Sequence, residues 1–419
     1  MFEALRNAWK IPELRQRIKF TFLMFLVFRI GSHIPVPNID VAKIQEFLEA
    51  GTLFGFLDLF SGGALKSFSV FALSITPYIT ASIIMQLLTI VIPRLEELAK
   101  EGQEGQEKIT QYTRYAAIVL AFIQAVGMSM WMRNAVIEPT YLTFFVIAIT
   151  LTAGTTFLIW IGEQITEKGI GNGISLIIFA GIVSRLPGSL VKLFSYVQVR
   201  AINILNVLAL AVVVLVVIGA IIYIQEGERR ITVQYAKRVV GRKIYGGQST
   251  HIPLKVNQAG VIPIIFASSV LMFPGTVAQF INHPWAQAVA GWLQFGTFLH
   301  TSLYVLLTIF FTYFYTAVSF NPMDVADNMR KYGGFIPGLR PGRRTGEYIE
   351  RIMGRLTLVG ALFIAAIAVM PVFMGNLTGI EGIYFGGTGV LIVVGVALET
   401  MKQIEAHMLM RHYEGFMKK

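Results

Sequence analysis

The stretch "FGFLDLFSGGALKSFSVFALSITPYIT", residues 54–80, has the composition of one long apolar helix but is interrupted four times. Gly62, Gly63, Lys66 and Pro77 fall where such a helix should run undisturbed. Glycine and proline are the residues that a helix interior tolerates least. The stretch therefore predicts an apolar segment that enters a low-polarity environment without crossing it as one continuous helix.

The composition of the whole chain explains why such a segment is present. Of 419 residues, 55% are hydrophobic and only 14% are charged, and the mean hydropathy is +0.64. A soluble core cannot bury that much apolar surface, so the chain is predicted to be a membrane protein. It has no cysteine, which excludes disulfides, thiolate metal sites and cysteine nucleophiles. The charged start, "MFEALRNAWKIPELRQRIKF", has no cleavage site after it and predicts a retained first span.

Ten segments are apolar over the length that a helix needs to cross hydrocarbon, which is about twenty residues. They lie roughly at 20–34, 68–92, 112–132, 141–161, 169–186, 204–224, 259–281, 301–320, 356–374 and 383–401. The sequence thus predicts an all-α membrane protein with ten transmembrane helices.

The basic residues are distributed unevenly between the two sides of these spans. If the N-terminus is cytoplasmic, 28 of the 35 lysines and arginines fall in cytoplasmic segments. Six fall outside, and Arg29 lies within the first span. Because cytoplasmic loops carry an excess of Lys and Arg, both termini are predicted to be cytoplasmic.

Ten spans divide into two sets of five, which gives an N-terminal half at 1–194 and a C-terminal half at 195–419. Because five is odd, a structural repeat between the halves would have to be inverted in the membrane. The sequence shows no clear internal repeat, so this prediction rests on the count alone. A bundle of ten helices without a repeat remains an alternative.

Several spans carry polar residues at membrane depth. The fifth begins with "GIGNGIS" and the seventh with "KVNQAGVIP", while the second contains Gln86 and several Ser and Thr residues. Each polar residue alone is explained equally well by helix-to-helix hydrogen bonds or by a hydrated cavity. Together they favour a cavity. The segment before Ser61 would then dip partway in from the outer face, although a helix lying on the outer surface fits equally well.

No pattern for catalysis or metal binding is present. "GIGNG" follows a membrane helix and not a strand, so it is a poor nucleotide motif. The six histidines have no metal-ligand spacing, and we predict neither an enzyme nor a cofactor. A secondary transporter for a small solute or ion is the alternative class. It would place ionisable residues at the midplane, where only Arg29 is found, and Arg29 is expected to extend outward to the interface.

Eight motifs occur in order along the chain: "FSGGAL", "PYITASIIMQLL", "KITQYTRY", "GEQITEKGIGNGIS", "QSTHIPLKVNQAGVIPIIFASS", "FYTAVSFNP", "GGFIPGLRPG" and "FGGTGVLIVV". In these eight motifs the chain resembles the SecY family, whose members are the channel subunits of the general secretory translocon. The resemblance is to the bacterial members of that family. The resemblance implies two inverted halves of five helices around an hourglass pore with a re-entrant plug. It implies a channel in the bacterial cell membrane that passes unfolded secretory polypeptides across and releases signal and transmembrane helices laterally.

The resemblance also implies roles for residues that the sequence alone would not single out. The plug, about 54–67, would include Leu57, Phe60, Ser61, Gly62 and Gly63. The constriction would be a ring of aliphatic side chains, namely Ile75, Ile79, Ile178, Ile265 and Ile392. An isoleucine in a membrane helix usually faces lipid or packed core, and only the position in the motifs selects these five. Gln86 and Asn257 would make polar contacts across a lateral gate, or serve as ordinary helix-to-helix contacts.

Two basic loops, about 226–258 and 321–355, would dock partners on the cytoplasmic side. The alternation in "RITVQY" and the "GG" after "RKIY" predict a hairpin in the first loop. The resemblance implies docking of the motor ATPase SecA and of ribosomal RNA on Arg242, Lys243 and Arg340. For the other loop charges, attraction to anionic lipids is the preferred interpretation. The resemblance further implies that SecE-like and SecG-like subunits are partners and that signal peptides and unfolded preproteins are substrates.

Overall fold

The computed structural model describes residues 9–44, 61–199, 203–235, 238–240, 243–245, 249–280, 284–293, 296–378 and 388–417. The chain is mostly helical, as predicted, and its loops contribute small sheets. Leu57 and Phe60 of the predicted plug, and Arg242 of the first basic loop, lie outside the described residues.

Six α-helices are described in the N-terminal part, and proline marks the start of three of them. They are α1 (Pro12–Gly31), α2 (Thr76–Val91), α3 (Pro93–Lys100), α4 (Gln103–Trp131), α5 (Tyr141–Lys168) and α6 (Gly173–Gln198). Proline suits the first turn of a helix, where its missing N–H leaves no hydrogen bond unmade. The Asn172 side chain caps α6 by accepting a hydrogen bond from the Ser175 N–H at 3.2 Å, which gives the polar "GIGNG" entry a structural role.

In the C-terminal part the structure describes seven α-helices and all five strands. The helices are α7 (Ile204–Glu226), α8 (Ile262–Phe280), α9 (Pro284–Trp292), α10 (Phe298–Ser319), α11 (Pro322–Lys331), α12 (Arg343–Thr378) and α13 (Thr388–Met417). Side chains of Asn203, Thr297 and Asn321 cap α7, α10 and α11. Such caps satisfy N–H groups that have no partner within the helix.

Each predicted span coincides with a helix in the described part of the chain. The helices α4, α5, α6, α7, α10 and α12 are long and apolar enough to cross a membrane alone. The bent pair of α2 and α3 meets the same criterion together, with a 100° angle between the two helices. In α1 and α13 the apolar run continues into charged turns, and the described apolar part of α8 is short.

The second predicted span, 68–92, begins later than expected. Residues 61–75, which we call the turn segment, form successive turns, and the helix starts only at Thr76. Pro77 accounts for this start, because its ring conflicts with the preceding helical turn and it has no N–H to donate. Ser74 adopts a left-handed φ of +54°, which also prevents the helix from extending toward the N-terminus.

The helices pack as two groups that meet along two seams. Within the first group, α4 packs on α2 and α5, and α5 on α1 and α6; within the second, α10 packs on α8 and α12, and α7 on α13. Across the groups, α2 and α4 contact α8, which forms the first seam. On the other side α6 contacts α13, which forms the second seam.

The two predicted docking loops fold into one sheet domain instead of two separate loops. Strands β1 (Glu228–Tyr235) and β4 (Ser249–Lys255) form the predicted hairpin, and β5 (Gly334–Phe335) of the second loop pairs with β1. A smaller hairpin, β2 (Arg238–Val240) with β3 (Lys243–Tyr245), lies between β1 and β4 in the sequence. One apolar cluster joins both loops through Ile231, Val233, Leu254, Met329, Ile336, Ile349 and Met353. Arg340 therefore belongs to the same folded unit as the hairpin.

Candidate functional site

The five isoleucines predicted to form the pore ring lie in one buried apolar cluster, which we call the central cluster. Ile75 is the N-cap of α2, and the others lie in the helices α2, α6, α8 and α13 as Ile79, Ile178, Ile265 and Ile392. Four of them are between 0 and 8% exposed, and Ile79 is partly buried and packs against the cluster. Residues that are more than 300 positions apart in the sequence are thus brought together from both helix groups.

The five isoleucines of the central cluster present only aliphatic side chains, which is the chemistry of a seal. Isoleucine is stiff at χ1 because of its branched Cβ, so its packing is well defined. At the edge of the cluster, the rings of Phe266 in α8 and Phe311 in α10 make an edge-to-face contact with centroids 5.7 Å apart. A narrow apolar passage excludes ions because water is unstable inside it.

Gly62 and Gly63 turn the chain at the start of the turn segment. Their φ angles are +66° and +90°, a region that costs other L-residues about 1–2 kcal/mol. A Cβ on Gly62 would lie 2.9 Å from the Cα of Gly181 in α6, so the two backbones are in close contact. Ser61, beside them, is 1% exposed. These glycines therefore provide both the turn and the approach to α6.

The later part of the turn segment is firmly attached to the chain that follows α1. The Val36 N–H donates to the Phe68 carbonyl at 3.0 Å, and the Ser67 hydroxyl donates to the Ser32 carbonyl at 3.0 Å. Leu65 and Phe68 are 1% and 0% exposed, within a second apolar cluster that includes residues of α4 and α5. The residues from 64 onward thus contribute to the packing of the bundle.

Arg29 does not simply extend outward as the sequence predicted. Its Nη1 donates to the Gly62 carbonyl at 3.0 Å and to the Ser184 hydroxyl of α6 at 3.3 Å. The side chain is still exposed, but the turn segment and α6 both present acceptors within its reach. The sequence could not reveal these partners, because they lie 33 and 155 residues away.

Gln86 lies in α2, which contacts α8 at the first seam, and Asn257 lies in the chain five residues before α8 begins. No hydrogen bond joins Gln86 and Asn257 in this part of the described chain; the Asn257 amide instead donates to the Gly260 carbonyl at 3.0 Å. The side-chain oxygens of Gln86, Asn257 and Gln258 are buried without a hydrogen-bond partner. Buried acceptors without a partner cost free energy. The hydrogen-bonding groups near the first seam are therefore less completely paired than those of an ordinary contact between helices.

The predicted docking residues lie in the sheet domain as far as the structure describes them. Arg340 is exposed, and its carbonyl accepts a hydrogen bond from the Thr345 hydroxyl at 3.0 Å. Gly342, with a φ of +104°, completes the turn that presents it. Lys243 begins β3 at the smaller hairpin, but its side chain, like all of Arg242, lies outside the described residues.

One ion pair joins two of the long apolar helices and has no signal in the sequence. Arg114 of α4 donates through Nε and Nη2 to the Oε1 of Glu163 in α5, at 3.0 and 2.8 Å. A residue separation of 49 gives no local signal for such a pair. Within the described residues, no group of three or more His, Asp or Glu side chains could hold a metal ion.

Comparison with known sequences identifies relatives over the whole chain. A family model for SecY matches residues 69–401. The protein translocase subunit SecY of Halalkalibacterium halodurans is 50% identical, with 100% of both chains covered. The protein translocase subunit SecY of Thermotoga maritima is 47% identical, covering 100% of this chain and 98% of the relative.

Solved structures share the fold at lower sequence identity. A protein-conducting channel matches with a TM-score of 0.67 at 21% identity over 96% of both chains. A SecY channel, whose plug domain stabilises the closed state and maintains a membrane seal, matches with a TM-score of 0.66 at 21% identity over the same 96%. Sec61 in a canine ribosome-channel complex matches with a TM-score of 0.63 at 20% identity, again over 96% of both chains. The predicted fold class, an all-α membrane channel of ten helices, is confirmed.

Proposed function

The chain belongs to the SecY family, and on that premise we infer that it is the protein-conducting channel of a translocon. The observation that carries this inference is the central cluster, because aliphatic side chains from both helix groups close one apolar neck. A neck without fixed hydrogen-bonding groups would not hold a passing polypeptide. The channel would pass unfolded secretory polypeptides across the membrane.

Separation of the two helix groups would open the neck. Ile75 and Ile79 lie on the first group, and Ile265 and Ile392 on the second, so movement at the first seam would part them. The same movement would expose the first seam to lipid and let a signal or transmembrane helix leave sideways. The unpaired amide oxygens at this seam support the proposal, because an entering helix would displace no hydrogen bond between Gln86 and Asn257. The predicted halves 1–194 and 195–419 would divide the chain near the same place, although α6 of the first group extends to Gln198.

The start of the turn segment would form the plug that closes the channel from outside. In a related SecY structure the plug domain maintains a membrane seal. Gly62 lies against α6, one of the helices of the central cluster, which supports the same role here. We place the movable part of the plug before residue 64, since later residues are anchored in the bundle.

The chain would span the bacterial cell membrane with both termini in the cytoplasm. The excess of basic residues in the segments assigned to the inside supports this orientation. It places the sheet domain in the cytoplasm, where SecA or a ribosome would supply the driving force. A related Sec61 channel forms a complex with a ribosome. SecE-like and SecG-like subunits, and anionic lipids near the basic loops, complete the proposed assembly.

The family is a family of channels and not of enzymes, which agrees with the prediction of no catalytic site. The alternative of a secondary transporter for a small solute is therefore not retained. The proposed channel needs an external source of energy, because the chain has neither a catalytic centre nor a nucleotide motif in a suitable strand context.

The experiment that tests this function is transport into proteoliposomes containing the purified channel with its partner subunits, SecA and ATP. A radiolabelled, unfolded preprotein should become protected from protease, while uptake of small solutes should stay at background.

Arg340→Glu should abolish SecA-driven protection because it reverses the charge of the exposed docking turn. Lys19→Glu, at an exposed site on α1 outside both docking loops, is the control and should retain transport. Normal transport by correctly assembled Arg340→Glu protein would disprove the docking role, and absence of preprotein transport by the parent would disprove the function.

A further inference from the structure

Arg29 connects three parts of the chain at the end of α1. It is the basic residue in the last turn of α1, and its Nη1 donates to both the Gly62 carbonyl and the Ser184 hydroxyl. The Ser184 hydroxyl in turn donates to the Gly181 carbonyl at 2.8 Å within α6. One guanidinium nitrogen therefore joins α1, the turn segment and α6.

The position of Gly62 makes this contact sensitive to movement. The Gly62 backbone lies so close to Gly181 that no side chain fits between them. The Gly62 backbone is therefore held close to Gly181 of α6, and in this position its carbonyl accepts the hydrogen bond from Arg29 Nη1 at 3.0 Å. A small shift of Gly62 away from α6 would break both the backbone contact and the hydrogen bond.

We propose that Arg29 is a latch, a positioning residue that holds the movable start of the turn segment against α6 in the closed channel. This proposal rests on the proposed function of that segment as a plug. Arginine suits the role because its planar guanidinium carries five N–H donors in a fixed geometry, so that two acceptors can share one nitrogen. A charge-assisted hydrogen bond is also stronger than a neutral one.

The latch must be reversible for the channel to open, and the geometry agrees with this requirement. Arg29 is exposed, so water can replace its protein acceptors when the segment leaves. The partner at Gly62 is a backbone carbonyl and not a carboxylate, so no second charge is left uncompensated. The later part of the segment keeps its own hydrogen bonds to the chain after α1, and release of Arg29 would free only the start.

The test uses the absence of cysteine in the chain. Ser61→Cys introduces a single thiol beside Gly62, at a side chain that is 1% exposed. The rate at which a water-soluble maleimide modifies this thiol in the purified complex reports the release of the segment. We expect Arg29→Gln to raise the rate roughly tenfold, as for the loss of one charge-assisted hydrogen bond at a partly hydrated site.

Two further variants separate the latch from a simple effect of charge. Lys19→Gln removes an exposed charge from the same helix and should leave the labelling rate unchanged. Ser184→Ala removes one of the two acceptors and should raise the rate less than Arg29→Gln does. It also serves as the test if Arg29→Gln protein fails to assemble. Equal rates in the parent, Arg29→Gln and Ser184→Ala proteins would overturn the latch.

Resting ion conductance of the same proteins separates the latch from the plug. Faster labelling with a raised conductance supports both proposals. Faster labelling at unchanged conductance supports the latch and counts against the segment as a seal. If deletion of residues 57–63 raises conductance while Arg29→Gln leaves labelling unchanged, the plug stands and the latch is wrong.

Discussion

Ile75 and Ile79 illustrate how single side chains acquire a role from their surroundings. Both belong to the same chain segment, one helical turn apart, and both contact the central cluster. Ile84 and Ile90 lie on the same helix but are 41% and 51% exposed. The residue type is identical in all four, so the surroundings of each side chain in the folded bundle, and not its chemistry, decide which isoleucines join the central cluster.

We predict that replacing Ile75 and Ile79 together by serine raises the resting ion conductance in planar bilayers. Two hydroxyls in an apolar neck lower the barrier that keeps it free of water. Ile84→Ser with Ile90→Ser is the matched control and should leave conductance at background. The measurement is cleanest in protein that also lacks residues 57–63, because a closed plug hides a small leak. Unchanged conductance there, with correct insertion, would mean that the constriction lies elsewhere.

The sequence could select these isoleucines only through resemblance, and it could not select Arg29's partners at all. A hydrophobic residue in a membrane helix has no local feature that separates a pore position from a lipid-facing one. The contact of Arg29 with Gly62 depends on how the turn segment packs on α6. Glycine at position 62 was readable as a break, because only glycine occupies a φ of +66° at little cost.

At the scale of elements, the turn segment behaves as two pieces with different attachments. In residues 61–63, the Gly62 backbone contacts α6, and the Gly62 carbonyl accepts a hydrogen bond from Arg29. From residue 64 onward, Ala64 is buried in the central cluster and Leu65 and Phe68 are buried among residues of α4 and α5, and backbone hydrogen bonds hold the segment to the chain after α1. A plug extending to residue 67, as the sequence predicted, would thus include residues that stabilise the bundle.

Two deletions should therefore have different effects. Removing residues 57–63 should give a folded channel with raised resting conductance and nearly unchanged thermal stability in detergent. Removing 57–67 should also destabilise the protein, because it deletes Leu65, and loss of one buried leucine typically costs about 2–5 kcal/mol. Leu65→Ala is the control, and it should lower the melting temperature without opening the channel. Equal melting temperatures for the two deletions would contradict this division.

Local sequence patterns predict the spans and the hairpin, but they do not predict how these elements assemble. Apolar runs of about twenty residues mark helices because hydrocarbon requires internal hydrogen bonding, and the alternation in "RITVQY" marks β1 because strands alternate their faces. The start of α2 was placed eight residues too early, since its apolar composition continues through turns that Pro77 and Ser74 impose. The pairing of β5 with β1 joins residues about a hundred positions apart, which no local pattern predicts.

At the scale of the whole molecule, the two seams differ in what holds them. At the second seam, Ile170 packs with Ile404 of α13 and with residues of α1 in a small apolar cluster. At the first seam, amide oxygens of Gln86 and Asn257 are buried without partners. Outside the seams, the hydrogen bond of Lys100 in α3 to Glu96 raises the pKa of the lysine, and the charge of Asp324 in α11 raises it further.

This difference predicts that the first seam opens while the second acts as the hinge. Cysteines at Gln86 and Asn257 would cross the first seam, and cysteines at Ile170 and Ile404 would cross the second, in a chain with no other thiol. Cross-linking the first pair with a bismaleimide should block preprotein transport and the exit of a signal helix into lipid, because the neck residues cannot part. Cross-linking the second pair should leave both largely intact, since a hinge rotates without separating.

Protease protection of a labelled preprotein measures transport, and gel shifts of proteolytic fragments measure cross-linking. Full transport with the first pair completely linked would show that the neck opens without separation of α2 from α8, and a block by the second pair alone would exchange the roles of the two seams.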